Sequence, residues 1–319
     1  MNVCFILVIS VISQLGLSLI MGWLLPEVTE AGFLYYFQLA LLSFVSVCIP
    51  AYLYLRDEKR KYFTDCFQGV KPSKAIAVCI GIGLAGQYTG VLCNLPVNLL
   101  FYSFGIEIPN KVPEITNFAS YLGAVVTMCV LPAVFEEVMF RGIVLNYFRQ
   151  FGKKSAILFS SLLFAIMHFD ITNFLATFIL GIVLAVLVCR SNRTVYSMIA
   201  HFTVNFTSVT TAFIMSSELG MDFLMDIQFV LIAVAVPVLI YLMGIFKASV
   251  SPLPYKDQEQ YEMIVEKIYP INEENSIRIV EHDIRENNMG MAFKKLYGSV
   301  YFYIIFVLFI VLGGAVLWK

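Results

Sequence analysis

Charge is scarce in this sequence: Asp, Glu, Lys and Arg make up 13% of its 319 residues, against 60% hydrophobic residues and a mean hydropathy of +0.83. That scarcity excludes a soluble globular domain, which typically devotes about a quarter of its residues to charge. A net charge of -1, with no basic patch interleaved with aromatics, argues against a nucleic-acid partner. The seven cysteines stand singly, Cys66 in a charged loop and the other six in apolar runs, with no Cys-x-x-Cys among them. This excludes a disulfide framework and a cysteine metal centre. Also missing are a Gly-x-Ser-x-Gly elbow and a His-Glu-x-x-His pair, the signatures of serine hydrolases and zincins. Neither a low-complexity tract nor an evident internal repeat is present, and transporters often carry such repeats.

What the sequence has instead is apolar runs of membrane-spanning length, which is about 20 residues per helix. They predict an all-α polytopic membrane protein with nine spans, near 3–25, 32–55, 75–100, 117–143, 155–169, 171–189, 194–216, 226–246 and 298–318. The first run lacks a charged n-region and an Ala-x-Ala cleavage site, so it reads as a span rather than a signal peptide. Basic residues cluster after the second span (Arg56, Lys59, Arg60, Lys61, Lys71, Lys74), the fourth (Arg149, Lys153, Lys154), the sixth (Arg190, Arg193) and the eighth (Lys247). The alternate loops carry Glu27, Glu30, Glu107, Glu114, Asp170, Glu218, Asp222 and Asp226, with Lys111 their only base. The positive-inside rule then places the N-terminus and residues 247–297 in the cytoplasm of a cell whose plasma membrane holds the protein. Within that polar segment, which opens on the Ser251-Pro252-Leu253-Pro254 breaker, Tyr261, Ile264, Val265 and Ile268 have the spacing of a short amphipathic surface helix.

Ionisable residues inside spans are the exception that needs explaining, since each costs about 2.5 to 3.5 kcal/mol on insertion scales. Glu136, Glu137 and Arg141 lie in the fourth span. Glu137 and Arg141 are four apart and can pair, whereas Glu136 sits about 100° round the helix and faces elsewhere. Two of the three histidines are also in spans: His168 on the fifth, and His201 on the seventh, where Asn205 shares its face. At about 1.5 Å per residue, Glu136 stands roughly 20 Å from Arg149, His168 roughly 21 Å from Lys154 and His201 roughly 16 Å from Arg190. Three helices therefore bring polar groups to one layer near the bilayer middle. Pro132, one turn before Glu136, removes a backbone hydrogen bond and leaves a carbonyl that must find a partner or water.

This set has the parts for peptide hydrolysis. A buried carboxylate moves a proton between water and a leaving amine, imidazoles polarise water or hold zinc, and an amide donates to a developing oxyanion. Zinc or another divalent ion on Glu136, His168 and His201 and a metal-free activated water both use the same residues. Ser160 and Ser161, near His168 in sequence, face elsewhere and read as packing residues.

Glu-Glu-x-x-x-Arg at 136–141, Phe-x-x-x-His at 164–168 and His-x-x-x-Asn at 201–205, in that order on membrane helices, resemble the CPBP intramembrane protease family. That family includes type II CAAX prenyl endopeptidases and bacteriocin-processing or immunity proteins. The resemblance covers residues 115–215. It implies an eight-helix membrane core at 1–246, followed here by the cytoplasmic polar segment 247–297 and one additional C-terminal transmembrane helix at 298–319. It further implies that Glu136 activates water with His168, that Glu137 and Arg141 support them, and that His201 and Asn205 form the transition-state side. The partners expected are the lipid bilayer and a membrane-associated peptide or protein tail reached from the cytoplasmic side. A non-catalytic immunity or scaffolding protein of the same fold and a proton-coupled transporter are the alternatives.

Overall fold

The computed structural model describes residues 3–25, 32–57, 74–106, 108, 112–113, 115–216, 218–250 and 289–314, and the side chains of all of these but 55, 57 and 218–225. Most of the 247–297 segment, including its expected amphipathic helix, lies outside the described residues, as do Lys59 to Lys71 and Glu27, Glu30, Glu107, Lys111 and Glu114. Among the described residues every regular element is helical: α1 Val3–Leu24, α2 Phe33–Ser43, α3 Ile49–Asp57, α4 Lys74–Ser103, α5 Phe118–Ala124, α6 Leu131–Glu137, α7 Leu145–Arg149, α8 Lys153–Ile166, α9 Phe174–Ser191, α10 Val195–Met215, α11 Glu218–Ser249, α12 Met289–Tyr297 and α13 Val300–Gly314. The protein is thus an all-α, multi-pass integral membrane protein.

The span count differs from the nine expected. Among the described residues seven helical spans are long and apolar enough to cross a bilayer, or up to eight if the bent α12–α13 pair, at 72°, counts as one. The physical reason lies mainly in α8, which has only 14 residues and so rises about 21 Å, short of the roughly 30 Å hydrocarbon core. The chain leaves α8 at Met167, turns, and starts back at Phe174 as α9, which packs along it. Asp170 organises that turn by accepting from the backbone of Thr172 and Asn173 and from the Thr172 hydroxyl.

Two of the long spans are not uniform α-helix. Phe33–Tyr54 contains a π-helical segment, Phe44–Cys48, and Phe118–Arg149 contains two, Val125–Val130 and Val138–Val144. Wider π turns inside α-helices concentrate at functional sites because they redirect side chains and leave backbone groups open to other partners. In the second span they isolate α6, a seven-residue stretch that ends on Glu136 and Glu137.

Small residues let the helices approach, as membrane packing requires when lipid is as apolar as the side chains. Gly83 of α4 lies so close to α10 that a Cβ there would sit 2.5 Å from the Ala200 carbonyl and 2.6 Å from the Thr203 Cβ. Gly181 of α9 is pressed against α8, its virtual Cβ 3.0 Å from the Ser161 Cα. The side chains of Ser160 and Ser161 turn back to the Ile157 carbonyl, in keeping with packing roles. The last helix is no loose appendage: Phe302, Ile305 and Phe309 are buried in one cluster with α1 and α8 residues.

Gly83→Ala is expected to destabilise the protein by about 1 to 3 kcal/mol through overpacking. Gly22→Ala, with open space around it, is expected to change nothing. Thermal unfolding of the detergent-solubilised variants measures both.

Candidate active site

The Glu137–Arg141 pair is sealed inside the bundle, both side chains at 0% exposure, with Arg141 Nε 3.3 Å from Glu137 Oε2. Burying opposite charges together costs desolvation on both, so each needs further partners. Arg141 Nη2 donates to the Gly181 carbonyl at 3.2 Å, and the guanidinium lies over the Phe164 ring at 4.3 Å from its centroid. The other Glu137 oxygen, Oε1, accepts from His201 Nδ1 at 2.9 Å. One carboxylate thereby ties the Phe118–Arg149 span to α10, and its arginine ties the same span to α8 and α9.

Glu136 has a different environment. It is about one quarter exposed, and its Oε2 lies 3.8 Å from His168 Nε2, too far for a direct hydrogen bond and the right separation for two groups sharing one water. The Oε2 atom has no hydrogen-bond partner among the described residues. His168 Nδ1 meets the Phe164 carbonyl at 2.7 Å. A carbonyl only accepts, so Nδ1 carries the proton and Nε2 presents a lone pair towards Glu136.

Both groups stand at the junction of two cavities. The larger, about 600 Å³, is lined by Glu136, His168, His201 and Asn205 together with amides and hydroxyls of α4, α9 and α10. The smaller, about 290 Å³, lies beside α1 and α2 and shares Glu136 and His168 while being otherwise mostly apolar.

Four of the six expected residues, Glu136, His168, His201 and Asn205, line the larger cavity, whereas Glu137 and Arg141 are fully buried and reach it through His201; two details differ from expectation. His201 pairs with Glu137 and not with Glu136, because Glu137 is the carboxylate that α6 turns towards α10. His168 sits in the turn after α8 and not on a helix. Asn205 lines the larger cavity and spends one amide hydrogen on the Met128 carbonyl at 2.9 Å. Met128 is four residues before Pro132, so this is the carbonyl that proline cannot bond in α register. The freed acceptor anticipated in the sequence finds its partner in a site residue.

The three-residue metal set does not assemble as expected. Among the described residues no group of three or more His, Cys, Asp or Glu side chains is placed to hold a metal ion.

Several contributors were not singled out by sequence reasoning. Phe164 packs edge-on against both His168 and His201, with centroids 4.5 and 5.8 Å away. Gly181 supplies a carbonyl, which no side-chain pattern reveals. Gln87, Asn94 and Asn98 did leave a signal, being amides spaced by seven and four in an apolar span, hence on one helix face.

These features define a class: a helical membrane protein with a carboxylate and an imidazole exposed together in a polar cavity, backed by a fully buried ion pair. Residues 118–207 match the family model of the type II CAAX prenyl endopeptidase Rce1-like proteins, a stretch that holds all three polar motifs and covers under half of the chain. No similar curated protein and no similar solved structure is found.

Arg141→Met is expected to cost about 3 to 5 kcal/mol, because it strands the Glu137 charge in a dry interior. Adding Glu137→Gln should return part of that loss, and unfolding midpoints in detergent report both. Asn205→Ala should cost about 1 kcal/mol, in the range of membrane hydrogen bonds. In a Pro132→Ala background, where a backbone N–H is restored, the same change should cost almost nothing, which a double-mutant cycle measures.

Proposed function

We propose that this protein is an intramembrane endopeptidase that hydrolyses a peptide bond in a membrane-associated peptide or protein tail. The observation that carries the reading is the Glu136–His168 pair, 3.8 Å apart with Glu136 Oε2 otherwise unpartnered, at the meeting point of two cavities. The match of residues 118–207 to a family model of CAAX-type endopeptidases supports it independently.

In this reading a water held between Glu136 Oε2 and His168 Nε2 gives its proton to Glu136 as its oxygen attacks the substrate carbonyl. The tetrahedral oxyanion is met from the α10 side by Asn205, which keeps an amide hydrogen beyond the one given to Met128, while His201, held by Glu137, shapes the same wall. As the C–N bond breaks, the proton on Glu136 passes to the leaving nitrogen, and the carboxylate is regenerated. The junction of two cavities leaves room for the chain on both sides of the scissile bond. Glu137 and Arg141 are positioning residues: they hold His201 and set the rotation of α6 that aims Glu136. The protein sits in the plasma membrane with its N-terminus and the 247–297 segment on the cytoplasmic face.

Terminal proteomics of native membranes should show a set of neo-termini that disappears with Glu136→Gln and with His168→Ala, each lowering cleavage by at least about a hundredfold. Folded variants that cleave as well as the parent chain would sink the proposal and favour a non-catalytic immunity or scaffolding protein.

A further inference from the structure

The larger cavity has a direction. Counting about 1.5 Å per residue from the basic residue at the end of each helix, Glu136 lies roughly 20 Å from Arg149, Thr177 roughly 20 Å from Arg190 and Asn173 roughly 26 Å. On α4, Gln87 lies roughly 20 Å and Asn98 roughly 36 Å from Lys74 by the same count. All five belong to the cavity wall, so the cavity begins at the level of the reactive pair and runs away from the basic ends.

Towards those ends the larger cavity is closed, and the smaller one, lined there by Leu7, Val47 and Phe140, is mostly apolar. Phe140, Val144, Phe148, Phe159 and Leu163 pack into one buried cluster beneath Glu136 and His168. Ile82, Leu184, Leu187 and Phe246 form a second one beneath the α4 wall. At the far end the cavity reaches Asn98, which is exposed.

Its lining is also chemically distinctive. Among the described residues no Lys, Arg or Asp lines it, and Glu136 is the sole carboxylate. Carboxamides dominate the polar part: Asn94 and Asn173 hydrogen-bond each other, and Asn94 also accepts from the Ala176 backbone, fixing α4 to the start of α9. Gln87 and Asn98, one below and one above that clamp, have no hydrogen bond to another described residue. A primary amide carries both a donor and an acceptor, which matches the N–H and C=O of an extended peptide.

The geometry points to a substrate cleft reached from the face opposite the basic loops, the extracytoplasmic one by the positive-inside rule, in which Gln87 and Asn98 bind the backbone of an extended, uncharged peptide segment. This rests on the protease reading and replaces the cytoplasmic access expected from sequence. Charged segments are excluded because the described wall beyond Glu136 offers no countercharge and desolvating an unpaired charge there is costly. Serines, amides and apolar side chains are admitted.

The access face is tested without any activity. Asn98→Cys and Lys153→Cys are each treated with a membrane-impermeant sulfonated maleimide, in intact cells and in inside-out vesicles, and modification at each site is read by peptide mass spectrometry. Asn98→Cys should label in intact cells, and Lys153→Cys, at the basic end, only in inside-out vesicles. Labelling of Asn98→Cys only from the Lys153 side, or from neither side, overturns the proposed access. The binding role is tested on substrates cut in a Glu136-dependent way: Gln87→Leu and Asn98→Leu should each raise KM about three- to tenfold with kcat nearly unchanged. A lysine placed in the segment upstream of the cut should abolish cleavage. Unchanged KM in both variants, or equal cleavage of charged segments, overturns the peptide-binding role. Absence of any Glu136-dependent cleavage overturns the protease reading instead, and the labelling result still decides the access face.

Discussion

A carboxylate and a guanidinium with no solvent exposure, in the middle of a membrane bundle, constrain everything around them. Neither charge is tolerable alone at that depth, and their mutual attraction repays desolvation only with further hydrogen bonds and close geometry. The surroundings supply these from four directions: the Gly181 carbonyl of α9, the Phe164 face of α8, the imidazole of His201 on α10, and the shared backbone of their own span. Each contact fixes a helix at a particular depth and rotation. Gly181 shows the cost of that fixing, since only a residue without a side chain lets α9 approach α8 while offering its carbonyl inward.

Once Glu137 is fixed, Glu136 has little freedom. Adjacent residues on an α-helix diverge by about 100°, so anchoring one carboxylate towards α10 swings the other towards the His168 turn. The π-helical segments on either side confine this geometry to α6, letting a short stretch hold its own rotation while the rest of the span packs elsewhere. Pro132 and Asn205 belong to the same arrangement. The proline opens a carbonyl, the asparagine closes it, and the hydrogen bond draws α10 against the wall that carries Glu136.

Much of this was legible from residues alone. Insertion cost singled out Glu136, Glu137 and Arg141, helical spacing separated their roles, and counting depth put His168 and His201 at the same level. The choice of carboxylate for His201 was not legible, because it depends on the azimuth of α6 between two π segments, and π turns leave no clear mark in hydropathy. The described residues hold one or two fewer helices of membrane-spanning length than the nine spans expected, for a related reason: the 155–169 run is apolar enough, but its helix ends at Ile166, and the residues after it form a turn whose Asp170 bonds were not anticipated. The amide stripe of α4 was visible in spacing and passed over because uncharged polar residues are common in spans.

The turn after α8 shows why the last helix belongs with the site. His168 is not held by helix geometry; its ring is fixed by the Phe164 carbonyl and by the backbone that follows. That backbone passes through Phe169 at φ 48°, a left-handed conformation that costs a bulky residue of order 1 to 3 kcal/mol and persists only where packing enforces it. The packing comes from α13: a Cβ on Gly313 would lie 3.2 Å from the Phe169 carbonyl, and Phe309 stacks at 5.5 Å from Phe174. A segment expected as an accessory anchor thus braces the turn that aims an imidazole at Glu136.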